Sequence, residues 1–202
     1  MFGRIIRTKG QDVLLEAWSR ALRDEEATAG AHLLIAGRTE RVRYRGVLGT
    51  RAAAPDLAGR VHLLDERTDV PRLLRAADLS VVPSREEPFG LTVIEAMMLG
   101  TPVVASAVGG IVEILSDHAP GRLVPPEDPE ALAGAICEVL RDPERADEGL
   151  RAATFARERF SPAAMLDQVE AVYAELVRRP SAPRVENRDG SWIDRADRSP
   201  RR

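Results

Sequence analysis

The stretch 83–110, PSREEPFGLTVIEAMMLGTPVVASAVGG, decides how the rest of the chain is read. Glu87 and Glu95 are separated by seven residues, Pro88 and Gly90 among them, so they do not share a helical face, which needs neighbours three or four positions away. The apolar run 79–82 reads as a strand, Glu87 as part of the loop after it, and Glu95 as part of the first turns of a helix beginning near Gly90. The N–H groups of Gly90, Leu91 and Thr92 then point outward between the two carboxylates. A free helix N-terminus carries unpaired donors and partial positive charge, which suits a phosphate. Each carboxylate only accepts hydrogen bonds, and its two oxygens suit a pair of neighbouring hydroxyls. The layout fits a ligand that runs diol, phosphate, diol, and a nucleotide sugar is such a ligand.

Simpler readings stand beside this one. Glu95 alone is accounted for as an acid in a first helical turn, and Glu87 alone as a solvated charge beside Glu86. The ligand reading draws support from the setting of Glu95 in the otherwise apolar run 93–99, where a buried acid is expected to require a partner.

Upstream, residues 3–10 read GRIIRTKG, a basic turn closed by Gly10. Lys9 is the only lysine among 29 basic residues, and a compact ammonium is not interchangeable with a guanidinium. Met1, Phe2 and Gly3 read as the end of a strand whose beginning is missing. Apolar residues at Val13, Leu14, Ala17, Trp18, Ala21 and Leu22 mark a core-facing helix over 12–24, with Trp18 packing rather than binding. Strands follow at 32–36, 61–64, 102–105 and 121–124. Helices are expected at 39–57, 70–77, 111–115, 143–159 and 161–178, and another begins at Asp128-Pro129-Glu130 with a cap and a first-turn proline. His62 is expected to be a packed strand residue. Gly109-Gly110 reads equally as a tight strand-to-helix turn or a place where backbone approaches a ligand.

Strands alternating with helices in this way require right-handed parallel crossovers, so the expected fold is α/β, a doubly wound Rossmann-like parallel sheet. One domain spans 1–179 with its first strand truncated, and the Arg-, Asp-, Pro- and Ser-rich tail 180–202 is expected to be disordered. The length of 202 residues suffices for one such domain and falls short of two. A net charge of −3 and a pI near 5.7 argue against a nucleic-acid groove. The single cysteine, Cys137, excludes an internal disulfide and fits a reducing compartment. The chain has no run of about eighteen apolar residues and no signal-type segment, so it reads as cytoplasmic, with membrane contact only peripheral.

EEPFGLTVIEAMMLGTPVVAS resembles the signature of the retaining glycosyltransferases of family four, the glycosyl transferases group 1 domain, whose hallmark is E-x7-E. The resemblance runs from Gly3 to about Leu176 and implies the carboxyl-terminal, donor-binding half of a GT-B enzyme. It implies that Glu87 contacts the donor sugar's hydroxyls and Glu95 the ribose. Gly3-Arg4 through Lys9-Gly10 resembles the family's G-R-x4-K-G loop, so Arg4 and Lys9 are implied to hold the diphosphate, and the implied catalytic set is Glu87, Arg4 and Lys9. Phe89, Gly90, Leu91, Thr92, Gly109 and Gly110 complete the implied donor site. The turn 65–70 is implied to border the base, with Val70 in contact. Arg38 and Thr39 stand where the family often has a second glycine.

The implied reaction is retaining transfer of a sugar from a nucleoside diphosphate sugar to an acceptor of unknown identity. There is no D-x-D triad, so a positive pocket is expected to replace a metal ion, and no cofactor is expected beyond the donor itself. A separate amino-terminal half is implied as partner. Two rivals remain: a GT-B nucleotide-sugar epimerase, and a non-enzymatic nucleotide-sugar-binding module or truncated inactive fragment.

Overall fold

The computed structural model describes residues 1–115 and 119–178, together with the backbone of Arg184–Glu186 and Trp192–Asp194. It divides into two compact units, Met1–Phe160 and Ser161–Arg202.

In the first unit a single turn of 3-10 helix, Arg7–Lys9, leads into α1 (Gln11–Ala21), β1 (Leu33–Ala36), α2 (Val42–Ala52), β2 (Val61–Leu64) and α3 (Val70–Ala76). Then come β3 (Ser80–Val82), α4 (Leu91–Met98), β4 (Val103–Ser106), α5 (Gly110–Ile114), β5 (Arg122–Val124), α6 (Pro129–Arg141) and α7 (Arg145–Phe160). Every strand pair is parallel, with Leu33 opposite Val61, Ser80 opposite Val103 and Val104 opposite Arg122. The strands are short and apolar because helices cover both of their faces.

Alternation along the strands sends side chains to two separate cores. Ile35, Val81, Val104 and Val124 join α1, Leu48 of α2 and the inner face of α6, around buried Leu14, Leu15, Trp18, Leu132 and Ile136. Ala36, Val82, Val103 and Ala105 face the other way, onto α3, α4, α5 and α7, around Leu74, Val93, Met97, Ile111 and Ala152. This period of two, with helices on both sides, is the expected doubly wound layering. Asp128 caps α6 by accepting from the N–H groups of Glu130 and Ala131 at 3.0 and 2.9 Å, as Asp-Pro-Glu predicts.

The sheet is in two parts, β2-β1 and β3-β4-β5. Met1 and Phe2 run beside β1: Phe2 bridges Ala36 in parallel, and the amides of Ala36 and Gly3 close the contact on Met1 O and Ala36 O. Between the parts lies a cavity of about 340 Å³, with Met1, Phe2, Leu33 and Leu34 on one side and Leu79 and Val81 on the other.

Three expectations are corrected. α2 is shorter than the predicted 39–57, because the sequence from Ala53 to Gly59 turns rather than continuing the helix. His62 is not packed. It is exposed on β2 and faces His32, with their ring nitrogens 3.0 Å apart. In the second unit α8 (Pro162–Arg178) has no buried residue, and the unit boundary falls before it rather than at 179. Most of the tail predicted to be disordered lies outside the described residues, but Arg184–Glu186 pairs antiparallel with Trp192–Asp194, with Val185 opposite Ile193.

α7 packs so closely on the turn that ends α4 that the junction admits no side chain: a methyl group on Gly149 would lie 2.0 Å from Gly100 O and 3.3 Å from Pro102 Cδ. Both neighbours are fixed backbone or ring atoms, so the helices must separate to accept it. Gly149→Ala is therefore expected to destabilise the protein by about 1–3 kcal/mol, the range for overpacking a filled interior. Guanidinium denaturation would read this as a lower midpoint, and an unchanged midpoint would show that the α4–α7 contact yields freely.

Candidate functional site

The carboxyl ends of the strands bring two loops together. Arg7, Thr8 and Lys9 form the 3-10 turn, which Gly10 ends in a left-handed conformation (φ +70°) before α1 begins. Across from it, the chain leaves β3 at Val82 and carries Glu87 back over the same turn. Lys9 Nζ lies 2.5 Å from Glu87 Oε2, with the two side chains only 17 and 11 % exposed. In so sheltered a place the attraction between the charges largely offsets their desolvation, so the pair contributes little net stability. Chemically, it sets a positive donor beside an acceptor suited to hydroxyls.

Next to this pair, α4 starts at Gly90 without a side-chain cap. Val93 N and Ile94 N bond to Gly90 O, so the N–H groups of Leu91 and Thr92 have no partner within the helix. Phe89 and Leu91 are 55 and 61 % exposed and border these donors. The loop before α4 is held from below by Gly109 and Gly110. Gly110 N donates to Glu87 O at 3.1 Å, and added methyl groups would lie 2.2 Å from Glu87 O at Gly109 and 2.4 Å from Phe89 O at Gly110. The backbone that these glycines admit is thus that of the Glu87–Phe89 loop itself.

Glu95 corrects a premise of the sequence reading. It is exposed, not buried in an apolar helix, because Val93, Ile94, Ala96 and Met97 turn to the core while Leu91 and Glu95, four positions apart, share the outer face. Its carboxylate therefore needs no internal partner and stands on the same face as the helix start. Arg4 is exposed and pairs with Glu40 at 3.0 Å, while its carbonyl accepts from Gln11 Nε2 at 2.8 Å. Val70 opens α3 and packs half-buried against the core that includes Val93 and Met97 of α4. The cavity between the sheet parts is lined by none of these residues.

Sequence reasoning missed a network under the two loops. Arg85 holds Asp12 with both oxygens, at 2.8 and 3.0 Å, and also reaches Arg7 O at 2.7 Å and Glu127 Oε1 at 2.7 Å. Asp12 accepts in addition from Tyr44 Oη at 2.9 Å. Burial alone would raise the Asp12 carboxyl, but hydrogen bonds from Arg85 and Tyr44 outweigh it and hold the group below its ordinary value. Burial and the bond to Asp12 push Tyr44 up to about 12. No motif marks these residues, which come from α1, α2 and two later loops. The one available signal was the adjacency of Asp12 to the Lys9-Gly10 turn and of Arg85 to Glu87.

The glycosyl transferases group 1 profile matches residues 1–142. The D-inositol 3-phosphate glycosyltransferase of Segniliparus rotundus is 36 % identical over 186 residues, a match covering 87 % of this chain and 39 % of that protein. The lipopolysaccharide core biosynthesis mannosyltransferase LpcC of Rhizobium leguminosarum bv. viciae is 34 % identical over 180 residues, covering 87 % of this chain and 50 % of its own. The chain thus spans half or less of the length of these relatives. Among solved structures, Anabaena Alr3699/HepE in complex with UDP and glucose superposes with a TM-score of 0.76 at 28 % identity, covering 86 % of this chain and 47 % of that one. The fold is the Rossmann-like half of a GT-B enzyme. With a family profile over most of its length and relatives above one-third identity, the chain belongs to the glycosyl transferases group 1 family.

Proposed function

We propose that this chain is the donor-binding half of a retaining glycosyltransferase, which transfers a sugar from a nucleoside diphosphate sugar to an acceptor. The observation that carries the reading is the 2.5 Å Lys9–Glu87 pair beside the uncapped start of α4. An arriving diphosphate offers Lys9 a stronger anionic partner and gives the N–H groups of Leu91 and Thr92 the acceptors they lack. Lys9 then turns from Glu87 to the phosphates, and Glu87 is released to accept from sugar hydroxyls. Arg4 joins at little cost, since its exposed pair with Glu40 is of a kind worth about 0–1 kcal/mol. The UDP and glucose bound to the Anabaena relative support this choice of ligand class.

In the transfer step the bond from the anomeric carbon to the diphosphate oxygen breaks, its electron pair staying on the diphosphate. A bond forms from that carbon to the acceptor oxygen, whose proton leaves with the diphosphate. Negative charge grows on the leaving group, where Arg4, Lys9 and the α4 start would stabilise it, which is catalysis by preorganised donors without a metal ion. Glu95, on the exposed face of α4, would take the ribose hydroxyls. Closure against a second, amino-terminal half would exclude water and bring in the acceptor.

Replacing both Arg4 and Lys9 with alanine is expected to weaken binding of a nucleoside diphosphate far more than of the bare nucleoside, measured by calorimetry with UDP, GDP and ADP. Equal losses for both ligands would reduce the loop to a support for the fold. Glu95→Gln should cost about 1.5–3 kcal/mol of nucleotide affinity, as for a lost charge-assisted bond. Undiminished affinity would retire the ribose assignment. The isolated 202-residue chain is expected to bind a nucleotide sugar weakly and to transfer none at a useful rate until an amino-terminal half is supplied. Robust transfer by the chain alone, followed with labelled donor, would put the acceptor site within it.

A further inference from the structure

Arg85 spends its whole guanidinium on protein partners. Nη1 and Nη2 grip Asp12, Nη1 also reaches Arg7 O, and Nε reaches Glu127 Oε1. Its own backbone N donates to Thr8 O at 2.8 Å. The side chain is 17 % exposed. Four residues from three other segments therefore meet on this one residue of the loop bearing Glu87: Arg7 and Thr8 of the turn bearing Lys9, Asp12 in the first turn of α1, and Glu127 in the loop between β5 and α6.

The contacts fall at a telling place in the chain. Arg7 and Thr8 immediately precede Lys9, and Arg85 stands two positions before Glu87. The two loops also touch backbone to backbone at Gly10, where a methyl group would lie 1.9 Å from Pro83 O. The turn is thus fixed against the Glu87 loop on both sides of Lys9, by the Arg85 contacts to Arg7 and Thr8 before it and by Gly10 on Pro83 after it. Lys9 has a long flexible stem, and the fork of Arg85 is rigid and planar, so the rigid group can fix where the flexible one arrives.

We propose that Arg85 is a positioning residue, which touches no ligand and acts through its guanidinium's hold on Arg7 O and Asp12 to keep the Lys9 ammonium in register with Glu87. The inference deepens the donor-site reading and rests on it for its consequence, the loss of diphosphate affinity when the clasp is broken. Its geometric part stands without any ligand. Asp12, itself held by Tyr44, anchors the clasp from α1, and Glu127 holds its outer edge.

Because Lys9 is the only lysine, its environment can be read chemically. Reductive methylation with formaldehyde, followed by peptide mass mapping, reports the Lys9 amine separately from the amino terminus. In the wild-type chain the pair with Glu87 shields Lys9. Arg85→Gln is expected to raise its rate of methylation about tenfold, the effect of losing roughly one charge-assisted bond, and to lower UDP affinity by a similar factor while leaving uridine affinity unchanged. Arg85→Lys should behave like Arg85→Gln, since an ammonium cannot bridge Asp12 and Arg7 O together. Gly149→Ala serves as a control destabilised far from the loops, and it should move neither readout.

Unchanged methylation of Lys9 in a folded Arg85→Gln chain would overturn the proposal, as would equal losses of UDP and uridine affinity. Where Arg85→Gln does not fold, Asp12→Asn releases the same fork by its other end and must give the same increase in methylation, and a rate equal to wild type overturns the proposal. Should the wild-type chain bind no UDP, the donor-site reading fails while the methylation arm still decides whether Arg85 positions Lys9.

Discussion

An ammonium and a carboxylate 78 positions apart in sequence meet at 2.5 Å in a place mostly closed to water, and the surrounding structure is arranged so that they can. Neither charge is tolerable there alone. Removing one partner of a sheltered pair leaves the other without compensation, which is far more costly than the pair itself is stabilising. The loops that carry them are accordingly fixed by backbone contacts rather than left to side-chain chance: Thr8 O on Arg85 N, Glu87 O on Gly110 N, and Gly10 against Pro83. The two half-cores beneath supply the rigidity, since the strands that launch both loops are buried between helices on either face.

This division between scaffold and loops explains why so many groups in the site are backbone atoms. The uncapped N–H groups of α4, the carbonyls of Arg7 and Thr8 and the glycine pair before α5 are available wherever a parallel strand ends and a helix begins. Side chains enter at few positions and do distinct work. Lys9 and Glu87 oppose each other, Arg85 ties loops together, and Glu95 stands exposed on α4, where an outer ligand group could meet it. Among the described residues no helix is long and apolar enough to cross a membrane.

The fold was largely legible because its signals are local. Short apolar runs became the parallel strands, the stripe from Val13 to Ala21 became the buried face of α1, and Asp128-Pro129-Glu130 became a capped helix start. Reading went astray where exposure depends on the turn a residue occupies rather than on its neighbours in sequence. Glu95 lies among apolar residues along the chain but faces outward on the helix, and His62 lies within an apolar strand yet faces His32 at the surface. The pair of short strands in the tail could not be read from composition, because a three-residue pairing leaves almost no pattern.

The sequence by itself determined the element order, the parallel layering, the family and the identity of the charged residues at the strand ends, since each depends on periodicity, caps or a contiguous motif. Only the tertiary structure decided which of those charges meet. Lys9 and Arg4, the two cations that the resemblance implies for a diphosphate, have different partners: Lys9 pairs with Glu87, while Arg4 turns outward to Glu40. The glycine pair reads equally as a tight turn or as a place where backbone approaches a ligand, and in the fold it makes room for the Glu87–Phe89 backbone. Arg85, Asp12, Tyr44 and Glu127 form one network from segments up to 115 positions apart, and no local pattern encodes it. The physical reason is that a charge's partner is chosen by distance in space and by shelter from water, and both are set only when the loops are packed on the two cores.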